Sequence, residues 1–373
     1  MDPIPVFRPD YGPREIEAVT EVLKSGWIGL GPKTAEFETK FAEYLGAKYA
    51  VGVNSATAAL HLAMVLADVE GREVITTPNT FVSTNHAILY CGGTPVFADI
   101  EPDTLNIDPD SIAKRITKKT RAIVVVHYGG HACRMDRIMA LARKHKLVVI
   151  EDSAHGCGGK FKDKMLGTIG DYGCFSFHAV KNLAMGEGGA IVCKRKGEYE
   201  RLRRLRWLGI NKGTWDRAKS TSYAWEYDVP ELGYKCHLHD ISAALGLVQL
   251  DRLEDLNGRR RTLWERYNEK LDGIEGLETP VVHDYAFDAC HNYVIKYDDR
   301  DGLHTFLKER NISTGVHYIP NNLYDMYKDC KGPTPVCHDV WTRLLTLPLF
   351  PTLTRRDQDR AISAIREYAK TRA

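Results

Sequence analysis

Ser176 and Lys181 stand five residues apart in Cys174-Phe175-Ser176-Phe177-His178-Ala179-Val180-Lys181-Asn182-Leu183, and Gly186-Glu187-Gly188-Gly189 follows. That spacing sets a hydroxyl and an amine where a strand breaks into a glycine-rich turn. A lysine beside FSFHAV is partly shielded from water, which lowers its pKa and makes it a usable amine. Such an amine can form a Schiff base with a carbonyl cofactor; taken alone, Lys181 also reads as an ordinary surface lysine. Asp152 ends the apolar run LVVIED. An aspartate at the tip of a buried strand is costly without a cationic or hydrogen-bonded partner, and capping the next turn is its plainer reading. His155, three residues on, is placed to orient Asp152, to touch a ligand, or simply to support the turn. At Asn54-Ser55-Ala56-Thr57 the strand KYAVGV runs directly into a helix. Free N–H groups and the positive dipole end of a helix start make a phosphate cradle, though Ser55 also reads as a plain N-cap. Cradle, acid, hydroxyl and lysine fall at strand ends in the order that a pyridoxal-phosphate (PLP) site requires.

The elements that must position these groups lie between residue 48 and about residue 193. KYAVGV, EVITT, TPVFADI, RAIVVVH, LVVIED, CFSFH and GGAIVC read as strands. SATAALHLAMVLA, FVSTNHAILYC and RMDRIMALARKHK read as helices between them. Short apolar strands alternating with helices predict a mostly parallel sheet covered on both faces, with ligands at the strand carboxyl ends. From Asp240 to about Leu271 the pattern is long and helical, as suits an element linking two domains. CHNYVIKY, DGLHTFLKERN and TRRDQDRAISAIREYAK then read as strand, helix and closing amphipathic helix of a second α+β region. The expected division is a large domain over residues 1–250 and a small C-terminal domain over 251–373.

Fifty-one basic and 49 acidic side chains leave a formal charge of +2, which argues against a surface that coats nucleic acid. No apolar run approaches membrane-spanning length, and the first residues show no basic-then-apolar signal. The nine cysteines are scattered singly without a CxxC pair, so neither a metal site nor a disulfide framework is expected. The reading is a reduced, cytoplasmic protein.

The ordered motifs SGWIGLGPKTAEFETKFAEYLG, NSATAALHLAM, TPNTFVST, IEDSAHG, GDYGCFSFHAVKNLAMGEGG, HDISAALGLVQL, GVHYIP and LLTLPLFPTLT run nearly end to end. Together they resemble the DegT/StrS-type sugar-nucleotide aminotransferases, with the aspartate-aminotransferase (type I PLP) fold. The resemblance implies an α/β large domain with a seven-stranded sheet and a smaller α+β domain. It implies that Lys181 carries the cofactor and shuttles the proton, and that Asp152 keeps the ring nitrogen protonated. His155 matches the position that contacts the phenolic oxygen, and Phe81 the aromatic that stacks on the ring. Ala56 and Thr57 amides with the Ser176 hydroxyl match the phosphate grip, His178 matches a support beside the lysine, and His317 and Tyr318 fall in the sugar-contacting HYIP element.

The chain departs from that pattern twice. Gly233-Tyr234 is followed by Lys235, Cys236 and His237, where many relatives have Asn, an aromatic and Arg. On that resemblance Lys235 takes the place of the Asn that reaches the partner subunit's cofactor phosphate, and a lysine can still serve there as a point charge rather than an amide. HYIP is followed by Asn321-Asn322, where many relatives carry histidine. Between Gly209 and Gly233, Trp215, Tyr223, Trp225 and Tyr227 suit a lid over the site or a dimer interface. The implied activity is transfer of an amino group from L-glutamate to a nucleotide-linked keto-deoxysugar, at C-4 of a 4-keto-6-deoxy sugar, by a homodimer with shared sites. The rivals are a 3-aminotransferase, the sugar 3-dehydratase branch, which has histidine at the lysine position, and a non-catalytic member.

Overall fold

The computed structural model describes residues 2–212 and 226–372. Two helices open the chain, α1 (Pro13–Ser25) and α2 (Pro32–Leu45). Each starts on a proline behind a glycine and stops at a left-handed glycine, Gly26 (φ 73°) or Gly46 (φ 64°). Proline tolerates the missing donor at a helix start, and glycine adopts positive φ without a Cβ clash. The alternating region follows as β1 (Tyr49–Val53), α3 (Ala56–Ala67), β2 (Glu73–Thr76), α4 (Val82–Tyr90), β3 (Thr94–Phe97) and α5 (Pro109–Arg115). It continues through β4 (Thr120–Val126), α6 (Met135–His145), β5 (Val148–Asp152), β6 (Lys160–Phe161), β7 (Lys164–Met165), β8 (Tyr172–Ser176), β9 (Gly189–Cys193) and α7 (Lys196–Leu205).

The main sheet has seven strands in the order β1-β9-β8-β5-β4-β2-β3, and β9 is its one antiparallel member. Alternate residues feed opposite cores, as the pleat requires. Val124 and Ile150 join the α3 side, while Val125 and Val149 join the α6 side. A sheet buried on both faces explains the unbroken apolar runs. At the carboxyl ends, β5 stops at Asp152, opposite Cys174, and β8 runs two residues further to Ser176.

The long helical stretch after residue 240 is two helices, α8 (Asp240–Asp251) and α9 (Leu253–Leu271), rather than one. The break falls at Arg252, whose guanidinium bonds Asp10 Oδ2 at 2.6 Å and Glu15 Oε1 at 2.5 Å. Arg252 still makes helical bonds on both sides, its N–H donating to Val248 O at 3.3 Å and its carbonyl accepting from Leu256 N at 3.0 Å, and the apolar pattern continues across the break. The remaining elements are β10 (Leu277–Glu278), β11 (Ala286–Phe287), β12 (Tyr293–Tyr297), α10 (Arg300–Glu309), α11 (Pro335–Val340), β13 (Leu344–Leu347) and α12 (Arg355–Lys370). An antiparallel sheet β10-β12-β13 backs a second core around Tyr267, Ile295, Leu307 and Leu347. Ile4 joins that core: its N–H donates to Asn311 O at 2.8 Å and its carbonyl accepts from Ser313 N at 2.9 Å. β11 pairs instead with β6. No helix among the described residues is long and apolar enough to cross a membrane.

Candidate active site

A cavity of about 460 Å³ opens at the carboxyl ends of β5 and β8 and the start of α3. Ala56, Thr57, Phe81, Asp152, His155, Ser176, Lys181, His317 and Tyr318 all line it, as do Phe7 and His291.

Its floor is built by close backbone approach. Ser55 caps α3 by accepting from Ala58 N at 3.1 Å, so capping and cradle coexist: the Ala56 and Thr57 amides precede the capped one. A Cβ on Gly189 would stand 2.5 Å from Ser55 C and 2.7 Å from Ala56 N, so only glycine lets β9 press against that helix start. Ser176 pairs with Gly189 across β8 and β9, and it lines the same cavity as Ala56 and Thr57.

Asp152 is buried. Its Oδ2 accepts from Thr84 Oγ1 at 2.7 Å and its Oδ1 from Ala154 N at 3.1 Å. Burial raises its pKa, against the hydrogen bonds and the charge of Lys181. Two ionised oxygens with two protein donors retain lone pairs for another cationic donor. Lys181 is half-buried after a turn stitched by Phe177 N to Gly188 O (2.8 Å), Ala179 N to Gly186 O (2.9 Å) and Lys181 N to His178 O (2.8 Å). Burial pulls its ammonium down to about 8, and Asp152 partly opposes that pull.

His155 is held well below its ordinary pKa by burial and then by Lys181 and His317, so its ring is neutral. Its Nδ1 accepts from Gly129 N at 3.3 Å, and its Nε2 faces the Tyr318 hydroxyl at 3.2 Å. His317 bonds Thr346 Oγ1 through Nδ1 at 2.7 Å, and burial lowers its pKa to about 4. Phe81 is the N-cap residue of α4 and is 59% exposed, with its ring 6.2 Å from that of Tyr318. His178 lines the mouth, with Nε2 3.6 Å from Glu187 Oε1.

Lys235 does not line this cavity. It is exposed, and its ammonium stands 4.3 Å from the Trp207 ring centroid. Asn321 lies outside the cavity too: it accepts from Asn85 Nδ2 at 2.8 Å and donates to Thr80 O at 2.8 Å, tying HYIP to the start of α4. Of the aromatic stretch, Trp215, Tyr223 and Trp225 lie outside the described residues, and Tyr227 is exposed. Sequence reasoning passed over Thr84, Asn182, Phe7 and His291. Thr84 was open to detection, since it follows Phe81 at helical spacing. Phe7 and His291 arrive from distant segments and carry no local signal.

The groups fit PLP on the geometry of this chain: two free amides and a hydroxyl for a phosphate, a buried carboxylate with spare lone pairs, an exposed ring face, and an amine of lowered pKa. Together with the seven-stranded sheet they define a type I PLP-dependent transferase. The model of the DegT/DnrJ/EryC1/StrS aminotransferase family matches residues 9–366. The spore coat polysaccharide biosynthesis protein SpsC of Bacillus subtilis (strain 168) is 44% identical, covering 98% of this chain and 97% of that protein. The aminotransferase TlmJ from Streptoalloteichus hindustanus superposes with a TM-score of 0.93 at 34% identity, covering both chains completely. Spr1654 from Streptococcus pneumoniae, solved in a PMP form, gives 0.93 at 32% identity over 99% of each chain. The chain belongs to the DegT/DnrJ/EryC1/StrS family of PLP-dependent aminotransferases.

Proposed function

We propose that this aminotransferase is a sugar aminotransferase, moving the amino group of L-glutamate onto C-4 of a nucleotide-linked 4-keto-6-deoxy sugar. The observation that carries the reading is the meeting of Lys181, Asp152, Ser176 and the α3 start in one cavity. The sugar rests on likeness: solved relatives that include CalS13 from Micromonospora echinospora are sugar aminotransferases. SpsC supports use of the product in polysaccharide synthesis.

PLP, when bound, supplies an electron-withdrawing ring that stabilises negative charge at the carbon bearing the amine. Asp152 holds the proton on the ring nitrogen. The Ala56 and Thr57 amides and the Ser176 hydroxyl hold the phosphate at the positive end of α3. Phe81 covers one ring face. His155, whose Nε2 faces the Tyr318 hydroxyl at 3.2 Å, would contact the phenolic oxygen. Lys181 Nζ, its pKa lowered by burial to about 8, would hold the cofactor and, once freed, serve as the base that takes up and returns the substrate's proton. His317 and Tyr318 line the side where the sugar enters.

Among the described residues lining the cavity, Lys181 is the one lysine or arginine. Anionic groups therefore need charge from elsewhere, which supports a homodimer in which Lys235 of the partner subunit reaches the phosphate. Lys181 sits where the dehydratase branch has histidine, which favours amine transfer over that branch. The cytoplasm is the proposed location.

The test incubates 3-keto and 4-keto nucleotide sugars with glutamate and reads the product by NMR. Nitrogen at C-4 is expected. Nitrogen at C-3 alone overturns the position, and no amination of any ketosugar overturns the substrate class.

A further inference from the structure

His291 lines the cavity two residues before β12, and two rings pack against it. Phe7 stacks on it at 5.6 Å with planes 2° apart, and His155 lies 4.3 Å away at 33°. His291 Nδ1 stands 2.9 Å from Asn182 Oδ1, and Asn182 directly follows Lys181. The Asn182 amide nitrogen donates to Asn257 Oδ1 at 2.8 Å and to Ala289 O at 2.7 Å. Its oxygen is thus the acceptor, and His291 Nδ1 carries the hydrogen.

The same reasoning assigns His155. Its Nδ1 accepts from Gly129 N, so in the neutral ring the proton is on Nε2, toward Tyr318. The Gly129 carbonyl in turn accepts from His291 N at 2.9 Å. A single glycine thus ties His155 to the segment that carries His291. Burial holds both imidazoles well below their ordinary range, which keeps the assignment consistent near neutrality.

We propose that His291 is a positioning residue, its ring backing His155 and its Nδ1–H gripping Asn182, so that Lys181 and the Nε2 edge of His155 keep a fixed relation. The proposal rests on the reading of Lys181 as the cofactor's anchor. His291 itself moves no proton in the reaction. It joins a segment that leads into the second sheet to the loop that carries the reactive amine.

Two substitutions in the holoenzyme separate its two contacts. His291→Phe keeps a stacking ring but leaves the buried Asn182 oxygen without its donor. His291→Gln keeps an N–H for Asn182 and loses the ring. For His291→Phe, kcat falls about 10-fold or more while KM for glutamate stays within roughly 3-fold. The pH midpoint of the bound cofactor's visible absorbance shifts with it, and His291→Gln recovers part of kcat. Wild-type kcat and midpoint in His291→Phe overturn the proposal. So does a fall in melting temperature of both variants that accounts for the whole loss. Neutron diffraction from wild-type crystals needs no variant: deuterons on His291 Nδ1 and His155 Nε2 are expected, and either one on the opposite nitrogen overturns the arrangement. The anchor reading fails separately, on a borohydride-reduced adduct at a lysine other than Lys181.

Discussion

At Asp152 the Thr84 and Ala154 hydrogen bonds and the charges of Lys181 and His127 compete with burial, and burial wins: the carboxyl's pKa is raised from its ordinary value. Removing the Thr84 hydroxyl takes away the largest support for the ionised form. Thr84→Val preserves the shape and deletes the donor. A hydrogen bond to a charged group is worth roughly 1.5–3 kcal/mol, so cofactor affinity should weaken about 10- to 100-fold. Absorbance titration of the apo-protein with PLP measures this, and unchanged affinity would mean that Thr84 only fills space. Lys181 gives a prediction of opposite sign. Its free amine appears above about 8 rather than above the ordinary 10.5, because burial disfavours the ammonium. The rate at which apo-protein captures PLP should therefore rise with pH through a midpoint near 8. In Asp152→Asn that midpoint should move lower, because the one influence that favours the charged amine is gone. Stopped-flow absorbance across pH 6–10 reads both; a midpoint that rises in Asp152→Asn contradicts the assignment.

At the scale of elements, the cradle depends on a strand touching a helix start. Gly189→Ala places a methyl against the backbone of Ser55 and Ala56, where no flexible side chain can yield. Overpacking of this kind costs about 1–3 kcal/mol, whereas Ser55→Ala loses a cap worth about 1 kcal/mol. Gly189→Ala should thus lower both melting temperature and PLP affinity by more than Ser55→Ala, and the reverse ranking would place the cradle elsewhere. The strands were legible because a sheet buried on both faces writes uninterrupted apolar runs, and each run ends near its functional residue: LVVIED at Asp152, CFSFH at Ser176. The break at Arg252 was not, because the apolar period continues across it and what turns the chain is Asp10 and Glu15, about 240 residues earlier. Phe7 and His291 were invisible for the same reason. A lone aromatic near the start and a lone histidine before a strand gain meaning only when Ile4 crosses to the second core and the segment before β12 returns to Gly129.

For the whole molecule, the question is where the missing cations come from. The cavity takes residues from Phe7 to Tyr318 of one chain, yet Lys181 is its one lysine or arginine among those described. Lys235 is exposed: its backbone is bridged to Trp207 and its ammonium rides over that indole. A cation held on an aromatic face keeps its charge and loses some freedom, which suits a point contact to a phosphate. If Lys235 serves the partner subunit, the two lysines of one active site belong to different chains. Lys181→Ala and Lys235→Ala homodimers should each be impaired, the first completely. Unfolding the two together and reassembling them should form heterodimers in which Lys181 of one chain meets Lys235 of the other. Random pairing at equal amounts makes about half the dimers mixed, each with one intact site, so roughly a quarter of wild-type activity should return. Recovery near that level establishes sharing across the interface. No recovery, with mixed dimers shown by native mass spectrometry, places Lys235 at its own chain's site or at none, and full cofactor affinity in Lys235→Ala removes it from the phosphate altogether.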